Sequence, residues 1–409
     1  MKIVFFISRR QLDNFSFSKM LNRKNYQFIA IISNQDLATF PAIAKSYFDF
    51  IHGVDGVGDD FLTELDYEQV CLTMKNHINR FQSKPTDISI ICQDEANILL
   101  AGKLRDFFHI KTGAKGSELE VFRDKVLMKN KLKEKGIRTP HFISLCKNDV
   151  FTDIANRIGI PFIVKPTSAA GSFGVYKISM QSDYDKFITE NESRTSQYEA
   201  EEFIEGDLFH CDMVVKNKIM LFQECCVYAC PNLDFQKGMA LGSLAILHDD
   251  PVFKTLSEFA KKSLFALGAP EGCHHMELFI NKSHEVIFLE VGARSPGFIT
   301  SRVYENTFGR NPLDMDLNIQ ADITFAGENK KLIPSFYALF PIKKGKILGI
   351  REPQLTSDFE ITWVVKVGQE TKECKSNLDF GAILFVYNTD YNILKNDFKK
   401  TAHHKAFIY

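Results

Sequence analysis

The first hundred residues alternate between short apolar runs and longer polar stretches. Residues 2–8 (KIVFFIS), 28–34 (FIAIISN) and 88–95 (ISIICQDE) each start as an apolar run and end on polar residues. Such runs suit strands buried on both faces, so they predict parallel strands. The polar stretches between them read as helical, and the alternation predicts an open parallel α/β sheet over residues 1 to about 115. No GxGxxG follows the first strand, so a dinucleotide is not implied.

Further on the pattern changes. Residues 111–120 (KTGAKGSELE) read as a Gly-containing linker, followed by a helix that Gly136 stops before Pro140 opens the next piece. From Phe151 to about Glu202 come a helix, the strand PFIVKP, a Gly-rich loop, the strand VYKISM, a helix and the strand YEAEEFI, a small α+β module. Antiparallel strand patterns dominate from 205 to about 320, and short strands with Gly turns follow 330. The predicted division is an N-terminal α/β domain (1–115), linker helices with the small α+β module (116–205), a larger subdomain (206–325) and a β-rich C-terminal domain (326–409). At about 150 residues per domain, a chain of 409 leads to two or three domains, which agrees once the two middle subdomains count as one two-part region.

Composition narrows the partners. Fifty Lys and Arg against 51 Asp and Glu leave a net charge of −1, which argues against a nucleic-acid binder. With 45% hydrophobic and 25% charged residues the chain reads as an ordinary globular protein with no membrane span. The apolar run from Ile3 to Ile7 is too short for a signal-peptide core and Arg9 and Arg10 follow it, so a cytoplasmic location is expected. Nine cysteines without framework spacing point to reduced thiols, and Cys225, Cys226 and Cys230 lack a CxxC pair, so they read as buried filler rather than a zinc site.

The chemistry concentrates in residues 274–297 (HHMELFINKSHEVIFLEVGARSPG), which read as a hairpin turning around Lys282–Glu285. A symmetric register pairs Phe279 with Phe288 and Glu277 with Glu290. Cross-strand neighbours lie about 5 Å apart at Cβ, and like charges there repel unless a cation or proton intervenes. Two hard oxygen ligands of this kind suit Mg²⁺. His275 shares the parity of Glu277, and Arg294 sits in a Gly-rich turn where it can meet an anionic oxygen.

Three weaker signals accompany it. Lys165 ends an apolar strand, and the small-residue loop 167–174 after it lets backbone N–H groups approach phosphate oxygens. In YEAEEFIEGD, acidic residues flank Phe203 and Ile204, an apolar pair that could pack on a base or form a hinge. Lys125 stands in the first turn of its helix, where its charge opposes the helix dipole and a bound anion would offset it.

In this order and spacing, the segments RDK…KEKGIRTP, PFIVKPTSAAGSFGV, EEFIEG, HHMELF and FLEVGARSPG resemble the ATP-grasp superfamily of carboxylate–amine ligases, and most of all its L-amino-acid ligases, which make dipeptides. The resemblance implies ATP and Mg²⁺, with Mn²⁺ as a substitute, an acyl-phosphate intermediate, and small-molecule carboxylate and amine substrates. It implies that Lys125 and Lys165 hold phosphates beneath the loop containing Ser168, Ala169, Gly171, Ser172 and Gly174. Adenine would meet Glu201 through its side chain, Glu202 and Ile204 through their backbone, and Phe203 beside them. Glu277 and Glu290 would ligate metal, Arg294 and the backbone of Gly297 would stabilise the reacting oxygens, and His275 would lie near the substrate.

Two positions depart from the family pattern. Its members commonly have a ribose-binding Glu where this chain has Leu208, with Asp207 or Glu205 as substitutes, and many have a metal-binding Asn where this chain has Gly292. Glu95 is a candidate receiver for a substrate ammonium, unless it and Asp94 cap the next helix. The family commonly dimerises, which leaves a homodimer open. A catalytically silent ATP-binding regulatory subunit would share the lysines and the loop but would not need the paired glutamates. A carboxylase or formate-type ligase would keep the chemistry and change the acceptor.

Overall fold

The computed structural model describes residues 1–58, 63–327 and 331–409. Strands β1 (Lys2–Ile7), β2 (Tyr26–Ser33), β3 (Phe50–Val54) and β4 (Ile88–Cys92) form a parallel sheet in the order β3-β2-β1-β4. Both faces are covered, which explains the unbroken apolar runs. On one face Ile3, Phe5 and Ile7 pack against helices α1 (Tyr67–Phe81) and α2 (Ile98–Phe107). On the other, Val4 and Phe6 pack with Leu12, Phe15, Phe17 and the helix Pro312–Ala321.

The expected helix between β1 and β2 is replaced by three 3₁₀ turns, Leu12–Asn14, Phe17–Lys19 and Arg23–Asn25. The rings of Phe15 and Phe17 stack at 5.5 Å, and residues two apart cannot share a helix face. The expected linker at 111–120 contains a helical turn, Gly116–Leu119, pressed onto α2. A Cβ on Gly102 would fall 2.8 Å from the Gly116 nitrogen, so a bare backbone makes this approach possible.

Helix α3 (Lys125–Glu134) leads into a lid of strands β5 (Phe142–Ser144), β6 (Phe162–Pro166), β7 (Tyr176–Ile178) and β8 (Tyr198–Glu202), antiparallel in the order β5-β8-β6-β7. Helices α4 (Phe151–Ile158) and α5 (Gln181–Asn191) cover one face, where Phe162, Val164 and Ala200 meet Ile154, Tyr184 and Phe187. Strand alternation directs Lys165, Glu199 and Glu201 to the other face.

The largest sheet is antiparallel, with β9 (Gly206–Lys216), β10 (Ile219–Tyr228), β11 (Leu241–Ala245), β12 (Gly272–Asn281), β13 (Val286–Gly292), β14 (Ser335–Pro341), β15 (Asp358–Trp363) and β16 (Phe380–Tyr387) in the order β13-β12-β9-β10-β11-β14-β16-β15. Helices α3 and α6 (Pro251–Leu267) pack on one face through Met128, Leu132, Leu256 and Leu264. On the other, Val303 and Tyr304 of α7 (Thr300–Phe308) meet Val214, Phe222 and Cys226. The C-terminal strands β14, β15 and β16 extend this same sheet, because β14 pairs with β11 across residues 241–244. Cys225, Cys226 and Cys230 are buried free thiols. Among the described residues no helix is long and apolar enough to cross a membrane.

Candidate functional site

A cavity of about 740 Å³ lies between the lid, strands β9, β12 and β13, and the C-terminal edge of the parallel sheet. The segments after β1 (Arg9 to Asn14) and after β4 (Gln93 to Glu95) both line it. Chain order reverses between these two strands, and open α/β sheets bind ligands at such switch points. The sequence reading picked out Asp94 and Glu95 but missed Arg9–Asn14. The signal was available in the polar residues that end the first apolar run.

The hairpin places Glu277 directly opposite Glu290, as expected. Beyond that pair the register slips by one, so Leu278 rather than Phe279 pairs with Phe288. Leu289 is the extra residue of this bulge, and it and Glu290 both face the cavity. The Tyr228 hydroxyl and the Asn232 amide donate to Oε1 of Glu277 (3.0 and 3.3 Å). Burial would raise the Glu277 pKa, but hydrogen bonding and charge from His275, with the Tyr228 contact, bring it below the usual value. Oε2 of Glu290 lies 3.3 Å from Nζ of Lys125.

His275 lines the cavity and is anchored from below: its Nδ1 is 2.6 Å from Oδ1 of Asp212, its neighbour across β9 and β12. The other Asp212 oxygen takes Nδ1 of His210 (2.7 Å) and the Tyr304 hydroxyl. Burial disfavours a charged imidazole, yet Asp212 outweighs it and His275 is raised to about 9. These groups satisfy one another, so their closeness needs no ion to explain it.

Lys125 and Lys165 converge from α3 and β6. Nζ of Lys125 donates to the Ala169 carbonyl (2.5 Å), which ties the loop to α3. The helix start needs no foreign anion to offset Lys125, because the Asp124 carboxylate accepts from the Val126 and Leu127 amides (2.8 and 2.9 Å). Nζ of Lys165 is 2.6 Å from Oε1 of Glu201. The other Glu201 oxygen takes Lys129, a fully buried lysine that the sequence reading missed and that also donates to Glu199 (2.6 Å each). Burial would raise Glu201, but the two lysines hold it at about 2. Its carboxylate is thus engaged by lysines rather than directed at a base.

Glu202 turns its side chain to Arg138 (3.0 Å), and its amide donates to the His141 carbonyl (2.8 Å). Phe203 and Ile204 line the cavity with Glu202, and Lys177 sits 3.8 Å from the Phe203 ring centre. Of the loop, Ala169, Gly171 and Ser172 line the cavity, whereas Ser168 is exposed and Gly174 is not among the lining residues. Asp207 is exposed on the outer side of β9 and Glu205 pairs with Lys282, while Leu208 faces inward. The period of two along a strand is the reason: 207 and 208 cannot share a face.

Arg294 lies in the cavity beside Gly297. Its Nε donates to Oε2 of Glu95 (2.6 Å), and Arg123 donates to Oε1 (3.0 Å), so Glu95 is an anchor for two guanidiniums and not an open receiver for an ammonium. Burial would raise Glu95, but Arg294 and Arg123 hold it at about 2. Asp94 caps locally, accepting from the Ala96 amide and the Asn97 side chain.

Residues 158–302 match the ATP-grasp domain family. The chain carries an ATP-grasp domain. It is 30% identical over 239 residues to the L-arginine-specific L-amino acid ligase of Bacillus subtilis, covering 56% of this chain and 57% of that one. It is also 26% identical over 194 residues to D-alanine–D-alanine ligase A of Mesorhizobium japonicum, covering 44% and 54%. The chain thus spans somewhat over half the length of these relatives. Outside sequence similarity, the fold superposes on an L-amino acid ligase from Bacillus licheniformis with a TM-score of 0.76 over 100% of this chain and 99% of that one, at 14% identity. Of the cavity's lining, the N-terminal loops, Lys125 and the far wall (Tyr337 and residues 377–383) lie outside the matched residues 158–302, and the rest falls within them.

Proposed function

We propose that this chain is an ATP- and Mg²⁺-dependent ligase that activates a carboxylate, that of an amino acid, as an acyl phosphate and joins it to an amine. The observation that carries this reading is the convergence of the Glu277–Glu290 pair with Lys125, Lys165 and Arg294 in one cavity. Two carboxylates held face to face in the cavity fit a divalent cation, since their charges otherwise repel. When bound, Mg²⁺ or Mn²⁺ would offset phosphate charge.

The carboxylate oxygen of the first substrate attacks the γ-phosphorus, and ADP leaves. The amine nitrogen then attacks the carbonyl, phosphate leaves and the nitrogen loses a proton. Lys125 and Lys165 hold the phosphates, and Glu201 fixes Lys165 in place. The base packs against Phe203 and Ile204 with the Glu202 carbonyl as an acceptor. Arg294, oriented by Glu95, faces the oxyanion that develops as the amine attacks. Gly297 lets substrate approach the backbone, His275 borders the substrate, and the loop from Ser168 to Gly174 keeps water off the acyl phosphate. Leu208 offers no hydrogen bond to ribose, and Asp207 lies outside the cavity.

Glu290→Gln and Arg294→Ala should each abolish amine-dependent ADP release while the fold survives. Unchanged turnover in either variant would defeat the reading. A chain that only bound nucleotide would bind ATP and release no ADP with any pair of amino acids.

A further inference from the structure

Two separate apolar surfaces line the cavity. The first, with Ile163, Phe203, Ile204, Leu208, Phe279 and Leu289, belongs to the lid and to strands β9, β12 and β13. The second consists of Phe298, Tyr337, Leu378, Phe380 and Ile383, on the turn after Arg294 and around β14 and β16. Strands β10 and β11 lie between β9 and β14, which are therefore about 14 Å apart at three strand spacings. A nucleotide accounts for only one of them. Its base can cover the first, its phosphates belong with Lys125 and Lys165, and it has no second apolar part.

The second surface is built, not incidental. Phe298 holds φ at 54°, a left-handed conformation uncommon for a bulky residue and kept only where the surroundings enforce it. Here the Asn14 side chain donates to the Phe298 carbonyl (2.6 Å), and Gln11 donates to the Pro296 carbonyl (2.9 Å). The Phe298 ring lies 6.2 Å from that of Tyr337 and edge-on to Phe380 at 6.0 Å. Because Phe298 follows Gly297 directly, this wall begins where the proposed reacting centre ends. Its five residues carry no charge, and Asp234 and Lys237, which also line the cavity, pair with each other (2.7 Å), so a charged side chain seated against the five would lose water for no new ion pair with them.

We infer that one of the two substrates is an amino acid with a bulky apolar side chain, aromatic or branched, seated against Phe298, Tyr337, Phe380 and Ile383. This rests on the ligase reading proposed above. The test is direct binding, by calorimetry, of L-phenylalanine, L-leucine, L-alanine, L-aspartate and L-lysine to the full chain with Mg²⁺ and a non-hydrolysable ATP analogue. L-Phenylalanine or L-leucine should bind at least about tenfold more tightly than the other three. Phe380→Ala and Ile383→Ala should each remove most of that preference without changing affinity for the ATP analogue, and Phe380→Leu should retain it. Equal or tighter binding of the small or charged amino acids, absence of binding by all five, or an unchanged preference in both alanine variants would overturn the inference. Binding is read without turnover, so a preserved apolar preference with no ADP release for any substrate pair would instead defeat the ligase reading.

Discussion

A Cβ placed on Gly292 would lie 2.6 Å from Oε2 of Glu95 and 3.4 Å from Cγ of Arg294. The bare backbone at 292 therefore gives Glu95 the room in which it meets Arg294. This is the position at which the family often carries Asn, and here the space belongs to a carboxylate from the parallel sheet. Two parts of the fold, the turn after β13 and the segment after β4, thus meet through one ion pair that lines the cavity.

Gly292→Ala should push the Glu95 carboxylate aside and leave Arg294 without its anchor. A side-chain end can move, so the fold should survive. Under the ligase reading, kcat should fall about tenfold or more, the scale of misplacing a group that stabilises an oxyanion, while KM for ATP changes little. Steady-state ADP release checks this, and unchanged kcat would show that Glu95 does not position Arg294.

Lys129→Met should be among the most destabilising single changes in the lid. It would leave Glu199 and Glu201 buried with one cation fewer, at a cost of about 3–5 kcal/mol. Burial already raises the Glu199 pKa, so this carboxyl is the one that would take a proton. Adding Glu199→Gln should recover part of the loss, since Glu201 keeps Lys165. Denaturant titration of the single and double variants decides it, and equal stability of the two would contradict the argument.

Much of the site could be read from sequence because its chemistry sits in local segments. Counting outward from the turn at Lys282–Glu285 reaches the Glu277–Glu290 pair, but it misses the pairs nearer the turn by one, since Ile280 faces Val286 and Leu278 faces Phe288. The bulge at Leu289 takes up that one residue and brings the two glutamates face to face, and it leaves no mark in an apolar run. Lys129 was invisible for a different reason: a lysine on a polar helix looks solvent-exposed until Glu199 and Glu201 are brought to it from β8. Tyr337 and Phe380 look like ordinary strand residues, and only the pairing of β14 with β11 carries them to the cavity. Asp207 and Glu205 were offered as ribose ligands by nearness in sequence, which ignores the alternation that turns Leu208 inward.

Gly174→Ala should weaken ATP binding. Gly174 has φ of +68°, and a Cβ there would meet Pro166 Cγ at 3.1 Å. Alanine would force the loop to shift or carry strain of about 1 kcal/mol or more. KM for ATP should rise several-fold with the lid still folded, as measured by ADP release over an ATP series. An unchanged KM would mean that the loop's backbone shape does not matter to the nucleotide.

Asp316, on helix α8 (Pro312–Ala321), gives a pH dependence whose sign can be worked out. Its side chain is fully buried, and Oδ2 accepts from Gln93 and Gln320 (2.7 Å each). Burial raises its pKa from 3.8 to about 6, although Gln320, Arg105 and Gln93 oppose the rise. A raised folded-state pKa means that the group's stabilising share is complete below the unfolded value near 3.8 and is lost as pH rises through about 6. Above that pH the buried charge costs up to about 3 kcal/mol, at 1.36 kcal/mol per unit. Asp316→Asn keeps the shape and an oxygen for the two glutamines but has no charge to bury. The variant and the wild type should therefore have similar denaturation midpoints at pH 4, and the variant should be the more stable at pH 8. A wild-type advantage that grows between pH 4 and pH 8 would mean that the carboxylate is stabilised by its neighbours rather than penalised by its burial.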